Sequence, residues 1–315
     1  MSSLFESLPF AIVLLLIGFV FLIKGADLFV DGSSNIAKKL CVPSVIIGLT
    51  IVAMGTSMPE AAVSITAALK GNAGITVGNV VGSNIMNVLV ILGVTAVITN
   101  VAIQKSTLKV EIPYMLFVTV VMIAMGLTGN EITLIEGVML WVLFLIYLAY
   151  LFYLSKKGVA EDEPAHAPMR IAKCLLFIVV GGVIVVLGSD FAVDGATGIA
   201  RMIGLSERFI GLTIVALGTS LPELVTSVTA ARRGNAGIAI GNIVGSNLFN
   251  MLFVIGTTAL ITPVVFASAF VIDALVAIAA GVLLWLGTFR TKELRRPVGV
   301  LMLLGYAAYF VYLLA

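Results

Sequence analysis

A stretch of thirteen residues, Gly48-Leu-Thr-Ile-Val-Ala-Met-Gly-Thr-Ser-Met-Pro-Glu60, occurs again as Gly211-Leu-Thr-Ile-Val-Ala-Leu-Gly-Thr-Ser-Leu-Pro-Glu223. The copies lie 163 residues apart and differ only at Met54/Leu217 and Met58/Leu221. Each sets a helix-breaking Gly-Thr-Ser-x-Pro and a carboxylate in the middle of a long apolar segment. In hydrocarbon, an interrupted backbone leaves polar groups that must be satisfied internally. A carboxylate at the bilayer centre costs about 2.5–3.5 kcal/mol or more. A chain that carries both features twice must put them to use.

The surrounding segments are apolar enough to be membrane spans. Hydrophobic residues make up 61% of the chain and charged ones 11%, which excludes an ordinary soluble globule. Crossing a bilayer takes about 20 residues. The pattern predicts an all-α integral membrane protein with ten transmembrane helices, at 8–37, 43–69, 73–98, 108–127, 132–154, 171–199, 207–231, 236–261, 266–289 and 298–314. The first run lacks a basic head and a good cleavage site, so it reads as a retained helix rather than a signal peptide. No basic stripe or aromatic platform points to nucleic acid. Cys41 and Cys174 fall near span ends expected on the cytoplasmic side, where a disulfide is not expected.

Lys and Arg give the orientation. Of eighteen, fourteen fall in one alternating set of loops and three, Lys70, Arg201 and Arg208, in the other, with Lys24 inside the first span. The asymmetry supports ten spans with both termini outside. Five spans is an odd number, so the second half enters from the opposite side. The reading is an inverted repeat: residues 1–156, a short cytoplasmic connector 157–169, and residues 170–315. Such repeats characterise transporters that alternate access around a midplane site. The register extends to Asp27/Asp190, Asp31/Asp194, Asn79/Asn242, Ser83/Ser246, Asn84/Asn247 and Asn87/Asn250. His166, in the connector, has no neighbours to complete a metal site.

Depth unites the polar residues. Thr56 and Thr219 lie at the middles of the second and seventh spans, and Ser83–Asn87 and Ser246–Asn250 straddle those of the third and eighth. Gly55 and Gly218 permit a break, and Pro59 and Pro222 suit the first turn of a second half-helix. The break is expected to free carbonyls around Ala53 and Ala216. Ser57-x-x-Glu60 and Ser220-x-x-Glu223 also match a capping box. A cap contributes about 1 kcal/mol, too little to explain a carboxylate at midplane. The remaining donors are Thr56, Ser57, Glu60, Ser83 and Asn87 with Thr219, Ser220, Glu223, Ser246 and Asn250, all hard oxygens. Ca²⁺ favours such sets, and transition metals favour His or Cys. Two negative charges balance one Ca²⁺ or two Na⁺.

These motifs resemble the sodium/calcium exchanger family of the cation/calcium exchanger superfamily, prokaryotic type, over nearly the whole chain. The resemblance rests on Gly-Thr-Ser-Met-Pro-Glu60 with Gly-Ser-Asn-Ile-Met-Asn87, and on Gly-Thr-Ser-Leu-Pro-Glu223 with Gly-Ser-Asn-Leu-Phe-Asn250. It implies overlapping cation sites at midplane, formed by those residues and the backbone oxygens of Ala53 and Ala216. It implies antiport of Na⁺ and Ca²⁺ across a cell membrane, with first and sixth helices that slide, and neither enzymatic activity nor a cofactor. The ions and membrane lipid are the partners; no obligate protein partner is evident. Some members carry an acid where Asn250 stands, so its absence argues against a proton or potassium role there. The rival readings are proton- or potassium-coupled exchange, a channel, and an intramembrane hydrolase; the last lacks a midplane His, Lys or Arg.

Outside the repeat motifs, Asp27, Asp31, Asp190 and Asp194 read as solvating the inner end of the first span and the outer half of the sixth rather than as lining an ion entry path, with Lys24 snorkelling or pairing with Asp27 or Asp31. Glu111 and Asp273 read as interfacial. The glycines at 71, 74, 78 and 82, and at 234, 237, 241 and 245, read as helix-packing surfaces.

Overall fold

A chain that crosses hydrocarbon must close its backbone hydrogen bonds within each span, and helices dominate accordingly. The computed structural model describes residues 8–71, 73–156, 169–204, 216–268 and 270–314. Among them, eight helices are long and apolar enough to cross a membrane: Leu8–Lys39, Thr76–Ile98, Thr107–Leu127, Leu134–Lys156, Ile171–Met202, Ala236–Ile261, Phe270–Phe289 and Arg296–Leu313. Ser44–Thr56 and Met58–Leu69 form a ninth span, bent by 49°. The tenth is the seventh in order, described from Ala216–Thr219 through Leu221–Arg232. Its first part and the connector with His166 lie outside the described residues. The protein has the ten-helix, inverted-repeat architecture with broken midplane helices.

The second span breaks at Ser57, whose φ and ψ of −86° and 9° leave the helical region. Pro59 follows at the start of Met58–Leu69 and has no N–H for the Gly55 carbonyl. Leu221–Arg232 begins the same way, after Ser220 and with Pro222 in its first turn. Among the described residues, four π-helical turns, invisible in the apolar pattern, occupy Gly48–Val52, Asn87–Leu92, Thr107–Glu111 and Asn250–Ile255. Three border the polar midplane residues; π turns recur at functional sites.

The halves run antiparallel through one another. Asn84 donates from Nδ2 to the carbonyl of Asn247 at 3.3 Å, and Asn247 returns the bond to Asn84 at 3.2 Å. Such reciprocity marks a pseudo-two-fold axis between them. Two short antiparallel ribbons join turns of opposite halves, Val101–Ala102 with Glu293–Leu294 and Glu131–Ile132 with Val264–Val265. The third and eighth spans form the core: their most apolar stretches are 72% and 94% buried, against 22% for the first and sixth helices.

The two 32-residue helices, first and sixth, lie against each other in antiparallel. Gly18, Gly25 and Gly32 face the sixth helix, and Gly181, Gly188 and Gly195 face the first. A Cβ on Gly18 would sit 2.5 Å from the Ala192 nitrogen, and one on Gly195 2.6 Å from that of Leu15. The predicted glycine surface of the eighth span is also real: Gly237, Gly241 and Gly245 meet Ser44, Val45, Leu49 and Ala53 of the second span. On the third span, Gly78 faces Phe270, whose ring a Cβ would meet at 3.3 Å.

The halves differ in how their half-helices pack. Leu221 and Val225 pack against the cluster of Leu22, Ala26, Val185 and Ala192 where the first and sixth helices meet, and Leu221–Arg232 lies mainly on the first helix. Their counterparts Met58 and Ala62 are exposed, and Met58–Leu69 makes few contacts with the sixth helix.

Candidate cation site

The break in the second span turns Glu60 inward, and the break in the seventh does the same for Glu223. The two are 1% and 0% exposed. The third and eighth spans supply the walls. Ser83 donates to Glu60 Oε1 and Ser246 to Glu223 Oε1, each at 3.4 Å. Behind each acid stands an asparagine. Asn79 Nδ2 holds the Glu60 carbonyl at 3.2 Å and Ser64 Oγ at 3.0 Å; Asn242 Nδ2 holds the Glu223 carbonyl at 3.4 Å and Ser227 Oγ at 2.9 Å. These bonds cross between half-helix and neighbouring span, and they set the rotation at which each carboxylate enters the centre.

The halves also meet directly. Ser57 donates to Glu223 Oε1 at 2.7 Å. Thr56 Oγ1 donates to the Ala53 carbonyl at 3.3 Å and lies 3.0 Å from Asn242 Oδ1. Ser246 Oγ reaches the Ala53 carbonyl at 3.4 Å. Asn87 Nδ2 donates to Asn247 Oδ1 at 3.0 Å, and Asn250 Nδ2 to Asn84 Oδ1 at 3.4 Å. These bonds consume the donors and leave acceptors. Glu60 Oε2, Glu223 Oε2, Asn87 Oδ1, Asn250 Oδ1 and Ser220 Oγ are buried with no hydrogen-bond partner among the described residues. A buried polar atom without a partner is costly; a group of oxygens in that condition is the donor set a hard cation completes.

Of the residues singled out in the sequence, Ala53, Thr56, Ser57, Glu60, Ser83, Asn87, Ser220, Glu223, Ser246 and Asn250 are buried in these four spans. Thr219 is half-buried, and Ala216 opens the described part of the seventh span. Asn79, Asn242, Ser64 and Ser227 were not assigned to the site from sequence. The shared register of Asn79 and Asn242 was the signal.

Several expectations require correction. Neither capping box forms: Ser57 and Ser220 make no side-chain cap bond, because the Ser57 hydroxyl is drawn to a carboxylate of the other half. The Ala53 carbonyl is not freed, since the Ser57 N–H still reaches it at 3.0 Å; the interruption falls one turn later. Glu111, near the end of its span, faces protein rather than solvent or lipid. It is fully buried and accepts from Tyr150 Oη at 2.6 Å; the π turn over Thr107–Glu111 adds a residue and re-aims the face. Asp27 and Asp31 pair with Arg233 of the seventh span rather than with Lys24.

Comparison with known proteins gives a consistent picture. The family described as "Sodium/calcium exchanger protein" matches residues 10–153 and 173–315. CaxA of Alkalimonas amylolytica is 38% identical over 310 residues, covering 95% of this chain and 97% of that one. The sodium/calcium exchanger MaX1 of Methanosarcina acetivorans is 33% identical over 96% of this chain and 97% of its own. Solved structures of the sodium-calcium exchanger NCX_Mj, soaked with Na⁺ and Sr²⁺, superpose with a TM-score of 0.83 at 32% identity, over 97% of this chain and 99% of that chain.

Proposed function

The chain belongs to the sodium/calcium exchanger family of membrane antiporters, and on that premise we propose that it uses the Na⁺ gradient to extrude Ca²⁺ by alternating access. It resides in the cell membrane, the cytoplasmic membrane in a prokaryote, with both termini outside and the 157–169 connector in the cytoplasm. Residues 1–156 and 170–315 are the two half-transporters.

The cations bind at Glu60 and Glu223, with Thr56, Ser57, Ser83 and Asn87, with Thr219, Ser220, Ser246 and Asn250, and with the carbonyl oxygens of Ala53 and Ala216. The observation that carries this reading is the group of unpartnered acceptor oxygens around two buried carboxylates. Two ionised acids facing a dry barrier are prohibitive, so the ion-free protein does not change sides. One Ca²⁺, or two or more Na⁺, neutralises them and permits the switch. Obligatory exchange follows from that penalty. The hydroxyls adapt to either ion because they donate when it leaves and coordinate when it arrives, as the Ser57 and Ser246 bonds to Glu223 illustrate.

Ca²⁺ uptake into proteoliposomes tests the coupling ion. Internal Na⁺ should drive uptake, and internal K⁺ or a pH gradient alone should not. Uptake driven by protons in the absence of Na⁺ would replace this reading with proton-coupled exchange.

A further inference from the structure

The midplane oxygens account for what is carried, not for which side the site faces. Outside them, four charged positions recur at the 163-residue offset, Asp27/Asp190, Asp31/Asp194, Lys38/Arg201 and Lys70/Arg233. Arg233 closes the end of Leu221–Arg232 and reaches the first helix, where Nη2 meets Asp27 Oδ1 at 2.6 Å and Nη1 meets Asp31 Oδ1. The two acids, four residues apart, share one helix face and accept the planar guanidinium together. All three are partly exposed, and Asp27 and Arg233 line a cavity of about 600 Å³.

The mirror set is apart. Lys70, Asp190 and Asp194 are exposed, and among the described residues no ion pair joins them. Packing follows the charges. Leu221 and Val225 pack on the cluster of Leu22, Ala26, Val185 and Ala192, and Leu221–Arg232 lies mainly on the first helix, whereas a cleft of about 380 Å³, lined by Gly55, Met58, Val183, Val186 and Leu187, stands between the second span and the sixth helix.

We propose that Arg233 with Asp27 and Asp31, and Lys70 with Asp190 and Asp194, are alternating clasps that position the half-helices for transport. Each closes as its half-helix docks on the long helix of the opposite half, and one opens as the other closes. This rests on the alternating-access reading above, because inverted repeats reach the opposite-facing state by exchanging conformations between halves. The clasps differ in chemistry. Arginine binds two carboxylates through a rigid fork, and lysine offers one flexible ammonium. The arginine clasp therefore holds better and biases the population toward the arrangement described here. A partly exposed network of this kind shifts an equilibrium by roughly threefold to tenfold.

The test places cysteine pairs in a background carrying Cys41→Ala and Cys174→Ala, as Asp27→Cys with Arg233→Cys and as Lys70→Cys with Asp190→Cys. The proteins are oxidised in proteoliposomes. Both pairs should cross-link in a transporter that exchanges Ca²⁺, each link should stop exchange, and reduction should restore it. With the native Asp27 and Asp31 in place, Arg233→Gln should raise the cross-linkable fraction of the 70/190 pair roughly threefold to tenfold, and Arg233→Lys less. Lys70→Gln should likewise raise the cross-linkable fraction of the 27/233 pair. An exchanging protein in which the 70/190 pair never cross-links overturns the clasps. Two reversible cross-links in a protein without Ca²⁺ exchange would leave them standing and refute the transport reading.

Discussion

Met58–Leu69 and Leu221–Arg232 are matching segments of the two repeats, identical at six of twelve positions, in two surroundings. Both start after a serine, carry proline in the first turn and end near a basic residue. One lies on the first helix; the other is separated from the sixth by a cleft. The contrast sets the mobile contacts apart from the fixed ones. The asparagine exchange and the bonds from Asn79 and Asn242 are made in both halves. The docking of the half-helices and the Ser57–Glu223 bond are made in one only, the Ser220 hydroxyl being unpartnered. Contacts made twice are the frame; contacts made once report the state of the cycle.

The largest effect belongs to the acids, and it should be the same in both halves. Opposite charges 4 Å apart interact by about 4 kcal/mol at an effective dielectric of about 20, so losing one carboxylate should lower Ca²⁺ affinity at least about 100-fold. Glu60→Gln and Glu223→Gln should each abolish Ca²⁺ exchange in proteoliposomes while the purified protein keeps its helical content by circular dichroism. Persistent exchange in both variants would remove the acids from the site.

Next come the glycines of the long helices, also frame. Gly18→Ala and Gly181→Ala each drive a methyl to within 2.5 and 2.6 Å of a backbone nitrogen. Overpacking of this kind costs about 1–3 kcal/mol, and the two losses should match in thermal unfolding of detergent-solubilised protein. Gly182→Ala, whose added carbon meets nothing closer than Phe29 at 3.7 Å, should be near neutral. Unequal losses at Gly18 and Gly181 would show that this seam is not symmetric.

The smallest effect should be unequal. Leu221→Ala removes packing against the first helix and should cost about 1 kcal/mol, whereas Met58→Ala, from an exposed position, should stay within about 0.5 kcal/mol. Equal losses, read by the same unfolding assay, would mean that the two half-helices share one environment in the membrane.

Much of this organisation was legible without coordinates. Apolar length located the spans, and the register of Gly, Asn, Ser, Pro and Glu exposed the repeat, because each of those residues is expensive at midplane and needs a reason to recur. What escaped had two physical sources. A hydroxyl bonds to the best acceptor within reach, and for Ser57 that acceptor belonged to a residue 166 positions away, so the local capping pattern misled. A π turn leaves no mark on an apolar run, so the inward turn of Glu111 had no signature. Asn79 and Asn242 were visible as repeat partners, but their bonds to the Glu60 and Glu223 carbonyls depend on helix rotation that spacing alone does not give.

The reciprocal bonds of Asn84 and Asn247 carry one more consequence. Each residue gives its counterpart what it receives, so the contact does not distinguish one half from the other. A single five-helix chain carrying Asn84 and Asn87, inserted into the membrane in both directions, would supply every donor and acceptor in that junction. Covalent fusion therefore adds no chemistry at the axis. What it adds is freedom for the two copies to diverge, as they have at Lys70 and Arg233, so that a dimer of equals becomes a machine with a preferred side.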